Sequence, residues 1–512
     1  MRALRLCVVR GCSERRLCVQ RAGRLCVAAS AAPVEVTCDS IAAGGRGVCR
    51  LPDGRVCFVP LALPQERLTI AVTVERPSYC VGEKLAVVTP SPSYVAAPCP
   101  LFGACGGCSL QHLAYSAQLV AKASFVADAL RRIGDFQPGA FELRPIIGVE
   151  DTLRGRNKLE LTVRGGSRVG MLAASSDELV PVTSCLLQHE ASDEVLSSLS
   201  SLIAASPVPN LRRVTLRTNE GGRVAVEFQA EQPPLRSGRG KPNETHNSWG
   251  QHSGLGALCD ALVALHPCIL SVVATTLVGE PAVATRGRRR QGGPSQQPPP
   301  PHRLVRASST PLFGPASLPV TLGGITFDVF PGAFFQTNTR QAEALLALVA
   351  AAAELQPNDR LMDLFCGTAA LSLPMAHAVE ALRGWDVSAA AIGAAKRAAA
   401  AAGLAPKCDF VVGDLAAVQL AASGFDPSVV VCDPSRSGMP TPVVSFLRRC
   451  GSVSRIVAVS CDAATAARDL AALCCAGGGG APFVLRSVQP LDMFPHSAHV
   501  ETVALLTRDR GA

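Results

Sequence analysis

The segment Arg360-Leu-Met-Asp-Leu-Phe-Cys-Gly-Thr-Ala-Ala370 indicates the fold class, because an apolar strand runs directly into a glycine-containing turn and a helix. Apolar strands and alanine-rich helical stretches then alternate through residues 340–508. Such a βαβ series predicts an α/β fold with a mainly parallel, doubly wound sheet. The predicted strands are Arg360–Phe365, Gly384–Val387, Phe410–Val412, Val429–Cys432, Arg455–Ser460 and Val500–Thr507.

Ligands of doubly wound sheets bind beyond the carboxyl ends of the strands. The turn at Gly367 would let backbone amides approach a ligand. Asp386 ends the next strand, where a carboxylate commonly holds ribose hydroxyls. Asp414 lies just past a third strand and could face an adenine. An ordinary βα turn is the alternative, because Gly367 alone remains of the usual set of glycines.

Three further side chains follow or interrupt predicted strands. Asp433 opens an Asp-Pro turn, Cys461 stands between a strand and a helix, and Glu501 lies inside an apolar strand. A cysteine at a helix N-terminus can have a lowered pKa, which favours the nucleophilic thiolate. A carboxylate inside an apolar strand is costly unless it is paired or functional. The structural alternatives are an ordinary turn, a buried core thiol and a bend or exposed edge.

Three cysteines within ten residues form a candidate metal site in the string Cys99-Pro-Leu-Phe-Gly-Ala-Cys105-Gly-Gly-Cys108. Cys185 supplies a fourth thiol further along the chain. Glycines let the backbone wrap closely around a centre and leave amides free to face sulfur. Four thiolates suit zinc or an iron–sulfur cluster, and unligated buried thiols are the alternative.

Composition narrows the protein class. The 512 residues correspond to about three domains. The net charge of +9 allows a nucleic-acid partner without requiring one. No run of 18 apolar residues occurs, which argues against a membrane-spanning protein. The odd count of 21 cysteines in a long chain favours reduced thiols over a secreted disulfide scaffold.

The chain divides into four predicted regions. Residues 1–33 carry seven arginines and one acidic residue, which resembles an organelle transit peptide. We therefore expect an intracellular protein, in a mitochondrion or chloroplast if the leader targets it and otherwise cytoplasmic with a basic tail. Short strands with Gly/Pro turns predict a small β-barrel over 34–92. The other predicted regions are a central α+β domain, 93–330, with disordered insertions at 232–253 and 286–303, and a catalytic domain, 331–512.

As a set, these motifs resemble the iron–sulfur branch of the RNA 5-methyluridine (uracil-C5) methyltransferases. The resemblance covers about residues 34–508 apart from the insertions, and residues 34–92 are similar to the TRAM domain, an RNA-binding barrel of the OB type. The strings that carry it are Cys105-Gly-Gly-Cys-Ser-Leu-Gln-His112, Gly332-Ala-Phe-Phe-Gln-Thr-Asn338, Ser460-Cys-Asp-Ala-Ala-Thr-Ala-Ala-Arg-Asp-Leu470 and Asp492-Met-Phe-Pro-His-Ser-Ala-His-Val-Glu501.

The resemblance implies S-adenosylmethionine-dependent methylation of carbon 5 of a specific uridine in an accessible loop of tRNA or rRNA, with no membrane partner. Cys461 would be the nucleophile that forms a covalent adduct with uracil, and Glu501 would be the general base. Gln336, Phe365, Asp386 and Asp433 would contact S-adenosylmethionine. A 4Fe-4S cluster would be held by Cys99, Cys105, Cys108 and Cys185.

The chain departs from the family pattern near the cofactor. The family's Cys-Gly-x-Gly-Asn turn reads Cys366-Gly-Thr-Ala-Ala370, and its Asp-Pro-Pro-Arg string reads Asp433-Pro-Ser-Arg436. The usual glutamate at the ribose position is the shorter Asp386. One alternative is therefore an RNA-binding pseudoenzyme with weak or lost cofactor binding. Another is an exocyclic-amine or ribose methyltransferase, which needs no nucleophilic cysteine.

Overall fold

The computed structural model describes residues 32–231, 254–280, 303–417, 420, 424–475 and 482–508. The predicted leader up to residue 31 and the insertions 232–253 and 286–302 lie outside the described residues. The strands are β1 (Val34–Ile41), β2 (Arg46–Arg50), β3 (Val56–Pro60), β4 (Arg67–Glu75), β5 (Cys80–Thr89), β6 (Glu142–Leu143), β7 (Lys158–Arg164), β8 (Arg168–Leu172), β9 (Leu179–Pro181), β10 (Leu211–Thr218), β11 (Val224–Glu231), β12 (Ile269–Glu280), β13 (Arg303–Phe313), β14 (Leu318–Leu322), β15 (Ile325–Val329), β16 (Arg360–Leu364), β17 (Ala381–Asp386), β18 (Cys408–Val412), β19 (Val429–Cys432), β20 (Arg455–Ser460), β21 (Phe483–Leu491) and β22 (Glu501–Arg508).

Seven α-helices accompany these strands within the described residues. The described residues form two compact units: the first lies within residues 32–150, 347–365 and 413–508, and the second lies within 151–346 and 366–412. The helices are α1 (Tyr115–Arg132), α2 (Glu190–Ala205), α3 (Leu255–Leu265), α4 (Thr339–Ala353), α5 (Ala389–Ala401), α6 (Thr441–Arg449) and α7 (Ala463–Cys474).

A closed five-stranded barrel begins the first unit, as the sequence predicts. Its strand order is β1-β2-β3-β5-β4, with β4 closing against β1 and a parallel pairing between β3 and β5. Alternate residues of the strands point inward, as a barrel with a filled interior requires. Four of the cysteines lie in this core, where they act as small apolar side chains: Cys38, Cys49, Cys57 and Cys80.

The remaining sheet of the first unit has the strand order β16-β19-β20-β22-β21-β6. The first three strands are parallel, and β22 runs antiparallel to both β20 and β21. The sequence predicts β16, β19, β20 and β22 with bounds close to those observed. It does not predict β21, because Pro490 and the polar residues within that segment are atypical of a central strand.

The second unit contains a seven-stranded sheet, β13-β12-β11-β10-β7-β8-β9, in which only β11 and β12 pair in parallel. Helices α2 and α3 contact each other, and they pack on strands β10 and β12, respectively. A separate hairpin joins β14 and β15. Strands β17 and β18 pair in parallel and α5 packs on both, which is the βαβ arrangement that the sequence predicts for this stretch.

Candidate active site

Three predicted functional residues lie where strands of the first unit end or begin. Asp433 follows β19, Cys461 follows β20, and Glu501 is the first residue of β22. β20 is parallel to β19 and antiparallel to β22. The carboxyl ends of β19 and β20 therefore share one edge of the sheet with the amino end of β22. The fold thus gathers Asp433, Cys461 and Glu501 at that edge.

Glu501 is the most buried of these three side chains, with 5% of its surface exposed. Burial, and next the negative charge of Asp433, raises the pKa of Glu501 to about 8, while Arg436 opposes the shift. Burial also raises the pKa of Asp433 to about 6. A carboxyl group whose pKa lies near neutrality can both accept and return a proton, which is the property that a general base needs.

Cys461 is half-buried and directly precedes the N-cap of α7. The cap is Asp462, whose carboxylate accepts the Thr465 N–H at 2.8 Å. Burial, followed by the charges of Glu501 and Asp433, raises the pKa of Cys461 to about 11. The expectation of a lowered thiol pKa at this helix N-terminus is therefore wrong, because burial and the two carboxyl groups outweigh the helix amides.

The loop that follows β19 is held against α7 by hydrogen bonds to its main chain. Thr465 Oγ1 donates to the carbonyl of Arg436 at 3.1 Å. The Met439 N–H donates to Asp469 Oδ2 at 2.7 Å. Gly438 has φ +78°, and a Cβ at this position would lie 2.3 Å from Asp469. The loop therefore requires glycine at 438, and its path fixes where the Arg436 side chain starts.

Arg436 is a candidate site residue to which the sequence analysis assigns no role. Its exposed guanidinium donates to His499 Nε2 at 3.5 Å. Its positive charge lowers the pKa of both Cys461 and Glu501, against the stronger effect of burial. The sequence feature that could have identified Arg436 as a site residue is its position three residues after Asp433, within the same turn.

Phe365 and Asp433 start side by side in the first unit. The Asp433 N–H donates to the carbonyl of Leu364 at 3.3 Å, which joins the ends of β16 and β19. Phe365 has φ +66°, a left-handed conformation that is rare for a bulky residue and often marks a functional turn.

Asp414 is exposed, and its carboxylate accepts the Ala416 N–H at 2.9 Å in a local turn.

Gln336 belongs to the second unit, on the segment between β15 and α4, and it is buried. The carbonyl groups of this segment accept hydrogen bonds from the seven-stranded sheet and from the residue that directly precedes its strand β7. Asn157 Nδ2 donates to the carbonyl of Gln336 at 3.0 Å, and the Asn157 N–H donates to that of Thr337 at 2.8 Å. The buried Arg217 donates through Nε to the carbonyl of Pro331 at 3.1 Å. The conformation of the segment is thus set from the sheet.

Asp386 and the glycine turn lie together in the second unit, as the sequence predicts. One carboxylate oxygen of Asp386 accepts the Gly367 N–H at 3.0 Å, and the other accepts the Ser388 N–H at 2.7 Å. Ala369 adopts φ +60° and has no exposed surface. Its methyl group therefore packs inside the protein and does not reach the surface where a ligand would lie.

Three of the predicted cluster ligands share one turn-rich segment of the first unit. The Gly107 N–H donates to Cys105 Sγ at 3.4 Å, and Gln111 Nε2 donates to Cys108 Sγ at 3.2 Å. The Cys99 N–H donates to the side-chain oxygen of Gln111 at 3.2 Å. Amide donors of this kind surround the sulfur ligands of iron–sulfur clusters, so the donor set suits such a group.

The expected convergence of these thiols is nevertheless not found. Among the residues that the structure describes, no group of three or more Cys, His, Asp or Glu side chains lies close enough together to hold a metal ion. Cys185 belongs to the second unit, where its N–H donates to Asp193 Oδ1 at 2.6 Å. Burial raises the pKa of the Cys185 thiol.

Comparison with known proteins places the chain in a family. A family described as "Methyltransferase domain" matches residues 361–455. An uncharacterized RNA methyltransferase of Nitratidesulfovibrio vulgaris is 32% identical over 493 residues, which cover 93% of this chain and 96% of that protein. An uncharacterized RNA methyltransferase of Thermosynechococcus vestitus is 31% identical, over 93% of this chain and 98% of that protein. The chain belongs to the RNA methyltransferases.

The fold of this RNA methyltransferase also matches a solved structure. The structure is that of Pyrococcus abyssi tRNA (uracil-54, C5)-methyltransferase in complex with S-adenosyl-L-homocysteine. It is 22% identical, has a TM-score of 0.63, and covers 92% of this chain and 100% of its own. The predicted S-adenosylmethionine-dependent methyltransferase fold is thereby confirmed.

The comparisons confirm the coarser sequence-based predictions. The protein is an RNA-modifying transferase, and RNA is its substrate. Organelle targeting gains no support, because the relatives named above are bacterial. In the described part of the RNA methyltransferase, none of the helices combines the length and the apolar character needed to cross a bilayer.

Proposed function

We propose that this RNA methyltransferase methylates carbon 5 of a uridine in tRNA or rRNA through a covalent adduct between Cys461 and uracil. The observation that carries the proposal is that Cys461 and Glu501 lie at the same edge of the sheet, where β20 ends and β22 begins. Methylation at carbon 5 needs both a nucleophile and a base, because that carbon is a poor nucleophile and carries a proton that must leave. Methylation of an amine or a ribose hydroxyl needs no nucleophilic cysteine.

Cys461 would act first. Its sulfur adds to carbon 6 of uracil as the thiolate, and the electron pair of the carbon 5–carbon 6 double bond moves toward the carbonyl at carbon 4. The resulting enolate is nucleophilic at carbon 5. Arg436 favours this step because its positive charge lowers the pKa of the Cys461 thiol against the effects of burial and the carboxyl groups.

Bound S-adenosylmethionine would supply the electrophilic methyl group: its sulfur–methyl bond would break as the bond to carbon 5 forms, with S-adenosylhomocysteine as the leaving group. Glu501 then removes the carbon 5 proton, the double bond re-forms, and the carbon–sulfur bond to Cys461 breaks to release the thiolate. The raised pKa of Glu501, about 8, makes the ionised carboxylate a stronger base than an exposed glutamate.

We assign the cofactor to residues at several strand ends. Asp386 would hold the ribose hydroxyls, since each of its oxygens accepts one amide hydrogen bond and retains capacity for another. Asp414 would face the adenine. The other proposed contacts are Gln336, Phe365 and Asp433, which the family resemblance implies.

Replacement of Asp386 with alanine is expected to weaken binding of S-adenosylmethionine by about 10–100-fold, the effect of losing a charge-assisted hydrogen bond. Titration calorimetry with the cofactor measures this change. Ala369→Gly is the matched control, because the Ala369 methyl group is buried and its removal should alter affinity by less than about threefold. Unchanged affinity in Asp386→Ala would contradict the ribose assignment.

The barrel would supply contacts to RNA phosphates, in the manner of a TRAM domain. Arg46 and Arg50 lie on its exposed outer surface, where cations can meet a polyanion. Cys461 is half-buried at its strand edge, so a uracil must leave its stack to reach the thiol. These features favour an unpaired or flipped uridine as the target.

We propose further that Cys99, Cys105, Cys108 and Cys185 hold a 4Fe-4S cluster, as the family resemblance implies. The amide hydrogen bonds to Cys105 and Cys108 support this assignment. Such a cluster would stabilise its protein segment through iron–sulfur bonds. No step of methyl transfer passes through it.

Cys108→Ser is expected to reduce the iron content of anaerobically purified protein from about four atoms per chain to less than one. Iron and acid-labile sulfide assays, together with the visible absorption spectrum, measure the loss. Cys475→Ser is the control, because Cys475 is an exposed cysteine outside the proposed ligand set. Wild-type protein without iron or sulfide would refute the cluster.

Tritium release tests the proposed function. RNA carrying tritium at carbon 5 of uracil is incubated with the protein and S-adenosylmethionine. We expect release of tritium into water that depends on the cofactor, because the carbon 5 proton leaves only after methyl transfer. Methyl incorporation into both tRNA and rRNA without tritium release would redirect the assignment to an amine or a ribose oxygen.

A further inference from the structure

A buried ion pair links α1 to the segment that precedes the candidate base. Lys122 and Asp492 have no exposed side-chain surface, and Lys122 Nζ lies 2.5 Å from Asp492 Oδ1. The two residues are 370 positions apart in the sequence. A buried ion pair is weak evidence for stability, because desolvation offsets much of its attraction. Its position nine residues before Glu501 suggests another role.

The ion pair holds the main chain of Phe494 from both sides. Lys122 Nζ donates to the Phe494 carbonyl at 2.9 Å. The Phe494 N–H donates to Asp492 Oδ1 at 3.1 Å. Tyr115 Oη donates to the other carboxylate oxygen of Asp492 at 3.0 Å. The segment therefore leaves β21 along a path that buried side chains determine.

A second anchor follows at His496, which adopts the left-handed φ of +65°. The His496 N–H donates to Gln118 Oε1 at 3.0 Å. Its carbonyl accepts the N–H groups of Ser109 and Leu110 at 2.9 and 3.0 Å. These two amides directly follow Cys108, so the cysteine-rich segment supports the same anchor.

We propose that Lys122, Asp492, Gln118 and His496 form a buried brace that sets the position of Glu501 for proton removal. This inference rests on the proposed function of Glu501 as the base. The four residues of the brace are positioning residues, because they contact the main chain before Glu501 and none of them belongs to the strand edge that gathers Asp433, Cys461 and Glu501.

The brace makes a selective prediction about the reaction. The hydrogen bonds of the brace end on the main chain of Phe494 and His496, whereas Cys461 follows β20, so addition to carbon 6 should persist when the brace is broken. Neither Lys122 nor Asp492 is among the charges that shift the pKa of Glu501, so the effect should be positional. A base displaced by about 1 Å can lose about 100-fold in rate.

The test uses the full-length double variant Lys122→Met/Asp492→Leu. It replaces the buried charges by apolar groups of similar size, which a buried site often tolerates. With the tritiated RNA and S-adenosylmethionine, we expect tritium release to fall about 100-fold while a protein–RNA adduct resistant to detergent accumulates. Cofactor affinity and KM for RNA should stay within about threefold of wild type.

Arg455→Met/Asp359→Leu is the matched control, because it removes a largely buried ion pair at the opposite end of β20. It should accumulate no adduct. Hydrogen exchange of the amides in 493–500, measured without RNA, should accelerate in the brace variant alone. The proposed role of the brace would be refuted if the Lys122→Met/Asp492→Leu variant showed unchanged hydrogen exchange in 493–500. It would also be refuted if that variant released tritium more slowly without accumulating the adduct. A wild-type protein that releases no tritium would instead contradict the proposed function. The hydrogen-exchange measurement, which needs no RNA, would still test whether the brace holds residues 493–500 in place.

Discussion

Cys461→Ala is expected to lower tritium release by about 10⁴-fold or more and to abolish the protein–RNA adduct. Without the thiolate no bond forms at carbon 6, so the enolate that makes carbon 5 nucleophilic never arises. The measurement is single-turnover tritium release with the tritiated RNA, together with denaturing electrophoresis to detect the adduct.

The loss should not come from unfolding. Cys461 is half-buried at a strand end, and truncation of such a side chain changes the free energy of unfolding by about 1 kcal/mol or less. Melting temperature and cofactor affinity should therefore match those of the wild type. Wild-type methylation by Cys461→Ala would support an exocyclic-amine or ribose methyltransferase.

Glu501→Gln is expected to separate the two halves of the reaction. Addition and methyl transfer should proceed, but removal of the carbon 5 proton should slow by about 10²–10⁴-fold, the contribution of a general base. The methylated adduct should then accumulate, because the carbon–sulfur bond to Cys461 cannot break before the proton leaves. Equal release of tritium by wild type and Glu501→Gln would exclude Glu501 as the base.

The pKa of Glu501 gives this prediction a pH dependence. Burial raises the pKa from its ordinary value of 4.5 to about 8, so most of the carboxyl group is protonated at pH 7. Proton removal by the wild type should therefore accelerate as the pH rises from about 7 to 9. Single-turnover measurements on the preformed adduct should show that Glu501→Gln lacks this acceleration.

The same shift predicts that Glu501→Gln remains folded. A carboxyl group whose pKa is higher in the folded state makes the protein less stable as the pH rises from 4.5 to about 8, because burial disfavours the ionised form of the group. Glutamine carries no charge to bury, so this variant should melt at or above the wild-type temperature at pH 9. Thermal unfolding monitored by circular dichroism is the measurement.

Local patterns in the sequence account for much of the fold. Apolar strands that alternate with alanine-rich helices predict the parallel strands β16, β19 and β20, and short strands with Gly/Pro turns predict the barrel. Both kinds of pattern depend on residues close together in the chain. Strand β21 is not predicted from the sequence, because Pro490 interrupts the residue pattern that is typical of a strand. The strand forms because it pairs with β22 in the sheet.

The sequence by itself placed Asp433 and Cys461 directly after predicted strands and Glu501 inside a predicted strand. Only the tertiary structure decided that these residues meet, because the antiparallel insertion of β22 brings the start of one strand to the ends of two others. The pKa of Glu501 likewise depends on burial by distant segments and on the charges of Asp433 and Arg436. The contact between Lys122 and Asp492 spans 370 residues, and no local periodicity encodes a contact of that range.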